Sequence, residues 1–231
     1  DLRIIKCKGK VADLEHHANG KDLSGTVGIG HTRWATHGPP NDINAHPHQG
    51  NGPDLALIHN GIIENYAAIK EELAHRGHTF QSDTDTEVLI HLIEDVQREG
   101  GLDLAEAVRA ALDSVVGAYA IVVLDGKDPN VMVAARKSSP LVIGIGEEGE
   151  YFVASDATPI IEHTKNVVYL EDGEIAVIDR HKGLKIRTIK NQEKAPFIHE
   201  LEMHLEALEK GGYDHFMLKE IHEQPRSIRD C

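Results

Sequence analysis

Three short stretches carry residue types that do chemistry together. His31-Thr32-Arg33-Trp34-Ala35-Thr36-His37-Gly38 supplies a guanidinium, an indole, a hydroxyl and two imidazoles. Arginine presents a planar fork that matches a carboxylate with two parallel hydrogen bonds. Asn60-Gly61 either turns the chain or presents an amide and an unhindered backbone N–H. Thr84-Asp85-Thr86 places a carboxylate at a helix start, where aspartate also serves as an N-cap. Brought together, they describe a pocket for a free amino acid whose side-chain carbonyl is attacked. Arg33 takes the α-carboxylate, Asp85 the α-ammonium, and Asn60 with the Gly61 N–H holds a developing oxyanion. Apart, each is an ordinary feature: a surface-paired Arg, a turn, a cap.

The elements that must position these groups follow from periodicity. Asp1 to Cys7 reads as a strand, and Val11 to His17 as a short helix. The apolar run Gly25 to Gly30 predicts a buried strand over Thr26–Thr32, which delivers Arg33 to the mouth of the loop Pro39–Gly52. Leu55 to His59 predicts a second buried strand ending at Asn60-Gly61. Ile62, Tyr66, Ile69 and Leu73 share one helical face in a helix stopped by Gly77. Ser82 to Glu87 opens the next helix, with Thr84 and Glu87 spaced for a capping box and Val88, Leu89, Leu92, Ile93 and Val96 on its apolar face. Another helix spans Asp103 to Leu112. From Val115 onward the pattern turns to strands: Ala118–Leu124, Val131–Ala135, Leu141–Ile145, Tyr151–Ala154, Val167–Leu170, Glu174–Ile178 and Leu184–Ile189, with turned residues over Asp156–Glu162. Phe197 to Lys210 reads as a helix, and a boundary falls between Lys190 and Phe197. Long helices followed by many strands argue for α+β with mostly antiparallel, face-to-face sheets.

The balance of 24 Lys+Arg against 38 Asp+Glu gives −14 and argues against nucleic acid or an anionic membrane as partner. No apolar run reaches membrane-spanning length. Two cysteines, Cys7 and Cys231, make no disulfide framework, which points to a reducing cytoplasm.

Several longer words then line up with one family. His31–Gly38, Asn44-Ala45-His46-Pro47-His48, His59-Asn60-Gly61-Ile62-Ile63-Glu64-Asn65 and Thr84-Asp85-Thr86-Glu87 resemble the glutaminase half of the isomerising glutamine–fructose-6-phosphate aminotransferases. So do Gly117-Ala118-Tyr119, Ser139-Pro140-Leu141-Val142, Ala154-Ser155-Asp156, Leu170-Glu171-Asp172-Gly173 and Glu223-Gln224-Pro225. The resemblance implies an N-terminal-nucleophile hydrolase fold, an αββα four-layer sandwich, with its first strand and helix region missing. It implies a class II glutamine amidotransferase that needs no cofactor and no metal. Arg33 and Asp85 hold the ends of glutamine, helped by Thr36 and His37. Asn60 and Gly61 form the oxyanion hole, and Trp34 gates ammonia transfer. Residues 1–196 are then the glutaminase unit, and 197–231 a helical linker into a sugar isomerase half that takes fructose 6-phosphate in a homodimeric parent enzyme.

The family's nucleophile is an N-terminal cysteine, and this chain lacks it. Asp1 is a poor substitute, Cys7 reads as a partly buried strand residue, and Cys231 lies at the far end. The isolated chain is therefore expected to be inactive as a glutaminase. Alternatives are another class II amidotransferase, for phosphoribosyl pyrophosphate or asparagine, or a non-catalytic glutamine-binding module. A metal site from His31, His37, His46, His48 and His59 lacks zinc-like spacing.

Overall fold

The computed structural model describes residues 2–201 and 210–229. A seven-stranded antiparallel sheet runs in the order β1 (His48–Gln49), β2 (Leu55–Ile63), β3 (Gly117–Asp125), β4 (Val131–Lys137), β8 (Glu174–Asp179), β9 (Gly183–Thr188), β10 (Glu193–Lys194). A second, four-stranded sheet has the order β11 (His199–Glu200), β7 (Asn166–Tyr169), β5 (Val142–Ile145), β6 (Tyr151–Ala154). The helices are α1 (Val11–Ala18), α2 (Tyr66–His75), α3 (Asp85–Gly100), α4 (Leu104–Asp113) and α5 (Phe216–Arg229).

The layering follows from side-chain alternation along β3. Tyr119, Ile121 and Val123 point one way and pack with Leu89, Ile90 and Ile93 of α3 and Ala107, Val108 and Ala111 of α4. Ala120 and Val122 point the other way and meet Ile143 of β5 and Val168 of β7. A strand covered on both faces must be apolar at nearly every position, as this one is. The outer face of the second sheet is covered by Ala157, Ile160, Ile161 and Leu201, the first three from a turned segment. The order from outside to outside is helices, large sheet, small sheet and that covering segment.

Several expectations need correction. Residues 2–7 and Thr26–Thr32 form no strand; neither joins a ladder. The second run is largely exposed and meets the rest of the fold through Ile29, which touches the inter-sheet core, and His31, which bonds Asn60. The first is held by Lys6, whose Nζ donates to the carbonyls of Ile43, Ala45 and Pro47. β2 does not end at Asn60-Gly61 but continues through them, pairing register by register with β3 as far as Ile63 opposite Gly117. Ile62 is therefore a strand residue, 43% exposed, and not part of the α2 face. The capping box is half made: Thr84 Oγ1 accepts from Glu87 N, while the Glu87 carboxylate goes to the N–H groups of Gln81 and Ser82. Residues 197–201 are extended and include β11 in place of a helix start, and 202–209 lie outside the described residues. Cys7 is half-buried but not in a strand, and Cys231 lies outside the described residues.

Candidate active site

The site forms where β2 runs past its short edge partner. β1 pairs only with Leu57 and Ala56, so the outer edge of β2 from Ile58 to Ile63 is open among the described residues. Asp85 closes its far end. The Asp85 carboxylate, 3% exposed, accepts the backbone N–H of Ile63 through Oδ2 at 2.8 Å. It sits on the first turn of α3, where the helix dipole favours an anion. Thr84 caps that helix, which fixes the height at which the carboxylate stands.

A cavity of about 260 Å³ opens on this edge. Arg33, Trp34, Thr36, His37, Asn60, Gly61 and Asp85 all line it. The three separate words of the sequence thus meet on one hollow, small enough for a single amino acid. His31, His46, His59, Ile62, Thr84 and Thr86 complete the wall. These imidazoles and Thr86 were missed as site residues. Their signal was present in the density of histidine around residues 31–59, but nothing in the spacing says that a strand edge gathers them.

Asn60 is oriented by His31. The Nε2–H of His31 donates to Asn60 Oδ1 at 2.7 Å, which leaves the amide Nδ2 as the free end. Gly61 has φ +128°, and a Cβ there would stand 2.1 Å from the Ala118 carbonyl oxygen. Only glycine fits, because both the backbone angle and the neighbouring strand exclude a side chain. Thr86 Oγ1 bridges His46 Nε2 and His59 Nδ1, each at 3.1 Å. With one hydroxyl proton, Thr86 can donate to at most one of the two imidazoles. His37 Nδ1 lies 3.9 Å from Asp85 Oδ1, and its ring meets Tyr66 edge-on.

Arg33 is held more tightly than the sequence suggests. Its Nη1 donates to the Pro39 carbonyl at 3.2 Å, and its Nη2 donates to those of His37 and Gly38. Both terminal nitrogens of the guanidinium thus donate to the loop. Thr36 is exposed at the rim, and Trp34 stands 91% exposed beside it.

The electrostatics suit a zwitterion. Burial pushes the imidazoles of His31, His46 and His59 below the usual histidine range and that of His48 down to about 3. Arg33 and Asp85 face the pocket with opposite charges, and no cysteine is among the residues lining it. Cys7 borders a separate cavity that touches Arg33 from its other side.

Comparison with known proteins decides the family. A family model described as a glutamine amidotransferase domain matches residues 4–191. This chain belongs to that family. The amidotransferase domain is 60% identical over 230 residues to the glutamine–fructose-6-phosphate aminotransferase (isomerising) of Bacteroides thetaiotaomicron, covering 100% of this chain and 37% of the relative. It is 54% identical over 233 residues to the protein of the same name from Chlorobaculum tepidum, covering 99% and 38%. It thus spans less than two-fifths of the length of these relatives. Among solved structures it resembles the glutamine phosphoribosylpyrophosphate amidotransferase of B. subtilis, with TM-score 0.57 and 30% identity over 69% of this chain and 34% of that one. A structure described as the allosteric regulatory enzyme of purine biosynthesis matches with TM-score 0.57 and 32% identity, over 69% and 34%. The fold is that of the N-terminal-nucleophile amidotransferases, as the layered antiparallel sheets suggest. No helix among the described residues is long and apolar enough to cross a membrane.

Proposed function

We propose that this domain binds glutamine in the 260 Å³ pocket and holds its side-chain amide for hydrolysis to glutamate and ammonia. The observation that carries this is the convergence of Arg33, Asp85 and Asn60 on one hollow at the open edge of β2. The Arg33 guanidinium takes the α-carboxylate. The buried Asp85 Oδ1 takes the α-ammonium, with Thr36 and His37 beside it. The amide carbonyl then lies toward Asn60 Nδ2 and the Gly61 N–H, which stabilise negative charge as an attacking thiolate adds to the carbon. The thiol belongs, on the family resemblance, to an N-terminal cysteine. Trp34 at the rim covers the ammonia path.

The parent enzyme is proposed to use that ammonia to make glucosamine 6-phosphate from fructose 6-phosphate, as a cytoplasmic homodimer. Identity of 60% to a relative of that name favours this over the phosphoribosyl pyrophosphate reading, where identity is 30%. Residues 1–196 form the glutaminase unit and 197–231 the passage to an isomerase half.

Calorimetric titration with L-glutamine and L-glutamate tests the pocket without requiring turnover. Binding of the L but not the D isomers, lost in Asp85→Asn, is the expected outcome. Equal heats for Asp85→Asn and the unaltered chain would remove Asp85 from ammonium recognition.

A further inference from the structure

A second cluster lies on the opposite side of α3 from its contact with the glutamine pocket's edge, and the amidotransferase mechanism does not use it. His78, 5% exposed, follows α2, and His91, 2% exposed, lies on α3. Their Nδ1 atoms face each other at 3.0 Å. Glu94, one helical turn beyond His91, brings a carboxylate oxygen to within 4.8 Å of a ring nitrogen of each histidine. An i, i+3 pair on one helix face and a third group from a loop is a workable way to surround an ion.

The supporting contacts fit ligands. His78 Nε2–H donates to Asp95 Oδ1 at 3.0 Å, which fixes Nδ1 as the lone-pair nitrogen. A carboxylate behind a histidine is the usual outer support of a metal ligand. Asp95 is in turn held by Arg76 and Arg98. Glu94 is aimed by the N–H groups of Asn51 and Gly52, at 2.8 and 2.7 Å. A Cβ on Gly50 would stand 2.8 Å from its oxygens, so the loop is shaped around that carboxylate. The nitrogens alone are poorly matched. Asn51 Nδ2 also approaches His78 Nδ1, at 2.9 Å. With His78 neutral, either two N–H groups compete for one lone pair, or the two histidines turn lone pairs on each other. A cation between them removes the conflict, and two imidazole nitrogens on a tetrahedral ion stand about 3.3 Å apart, close to the spacing seen.

The geometry points to a binding site for one divalent transition-metal ion of the zinc class, held by His78 Nδ1, His91 Nδ1 and the Glu94 carboxylate. Two imidazoles with one carboxylate select such an ion over magnesium or calcium, which prefer all-oxygen shells. A 430 Å³ cavity bordered by His91, Asn51 and Gly50 leads to it from solvent. The ion would tie α3, through His91 and Glu94, to the segment after α2 that carries His78, so its role is to brace the helix that carries Asp85.

Chelator-treated chain titrated with ZnCl₂, followed by calorimetry and by X-ray absorption at the zinc edge, tests this. One equivalent bound through nitrogen and oxygen only is expected. Affinity should fall at least about 100-fold in both Glu94→Gln and His78→Gln, but not in the doubly substituted His16→Ala/His17→Ala chain. Glu94→Gln keeps the shape of a half-buried side chain, so it remains informative where His78→Gln fails to fold. Absence of a stoichiometric site, unchanged affinity in Glu94→Gln, or a sulfur ligand would each overturn the assignment.

Discussion

At the level of single residues, the site depends on how β2 presents Asn60 and Gly61. With Oδ1 engaged by His31, Asn60 has its N–H₂ to offer. In a chain carrying the N-terminal cysteine, Asn60→Ala should lower kcat for glutamine hydrolysis by about 10²–10³. A loss below about threefold would take Asn60 out of the oxyanion role. Gly61→Ala should destabilise the fold as well as the site, by about 1–3 kcal/mol from the backbone angle alone, with the Ala118 clash in addition. A melting temperature unchanged by that substitution would contradict the described backbone. Arg33→Lys should raise KM more than it lowers kcat, because a point charge replaces neither the loop contacts nor the planar guanidinium. The residue types at these positions were readable in the sequence because each chemistry needs a particular side chain. The loop bonds of Arg33 were not, since carbonyls of residues 37–39 carry no signature in side-chain identity.

At the level of elements, α3 sets the position of Asp85, and Thr84 sets the start of α3. Thr84→Ala should cost about 1 kcal/mol of stability, a fall in Tm of about 2–4 °C for a domain of this size. It should also weaken glutamine binding, since the carboxylate rides on the capped turn. A weakened helix with unchanged glutamine affinity would show that Asp85 is held by Ile63 N alone. The helices and the long strands were legible because their apolar periods are strong: 3.6 in α3 and α4, and continuous burial in β3. Thr26–Thr32 misled because an apolar run does not show whether a partner strand is beside it. Asn60-Gly61 misled in another way. A turn pair is also what a strand needs where a neighbouring carbonyl leaves no room for Cβ.

At the level of the whole molecule, folding buries a group of imidazoles in neutral form. His31, His46, His48 and His59 have folded pKa values below that of the free side chain, His48 at about 3, chiefly through burial. The unfolded chain takes up protons near pH 6.5 that the folded chain refuses. The stability they permit is therefore complete above about pH 6.5 and declines as pH falls below it, by up to about 1.4 kcal/mol per pH unit for each imidazole. Carboxylates with lowered pKa, such as Asp95 and Asp179, lose their contribution only at lower pH. Melting temperature should thus fall between pH 7 and pH 5, before the carboxylates titrate. A flat profile over that interval would mean that the histidines are solvated. The sequence shows sixteen histidines but not which of them the sheet edge buries together.

Glutamine hydrolysis in this pocket requires the amino acid to lie in one orientation between Arg33 and Asp85. A crystal structure of the chain with L-glutamate, the hydrolysis product, tests that most directly. The α-carboxylate should be found on Arg33, the α-ammonium on Asp85 Oδ1, and the side-chain carboxylate beside Asn60 Nδ2 and Gly61 N. Glutamate bound in the reverse direction, or bound away from the edge of β2, would contradict it.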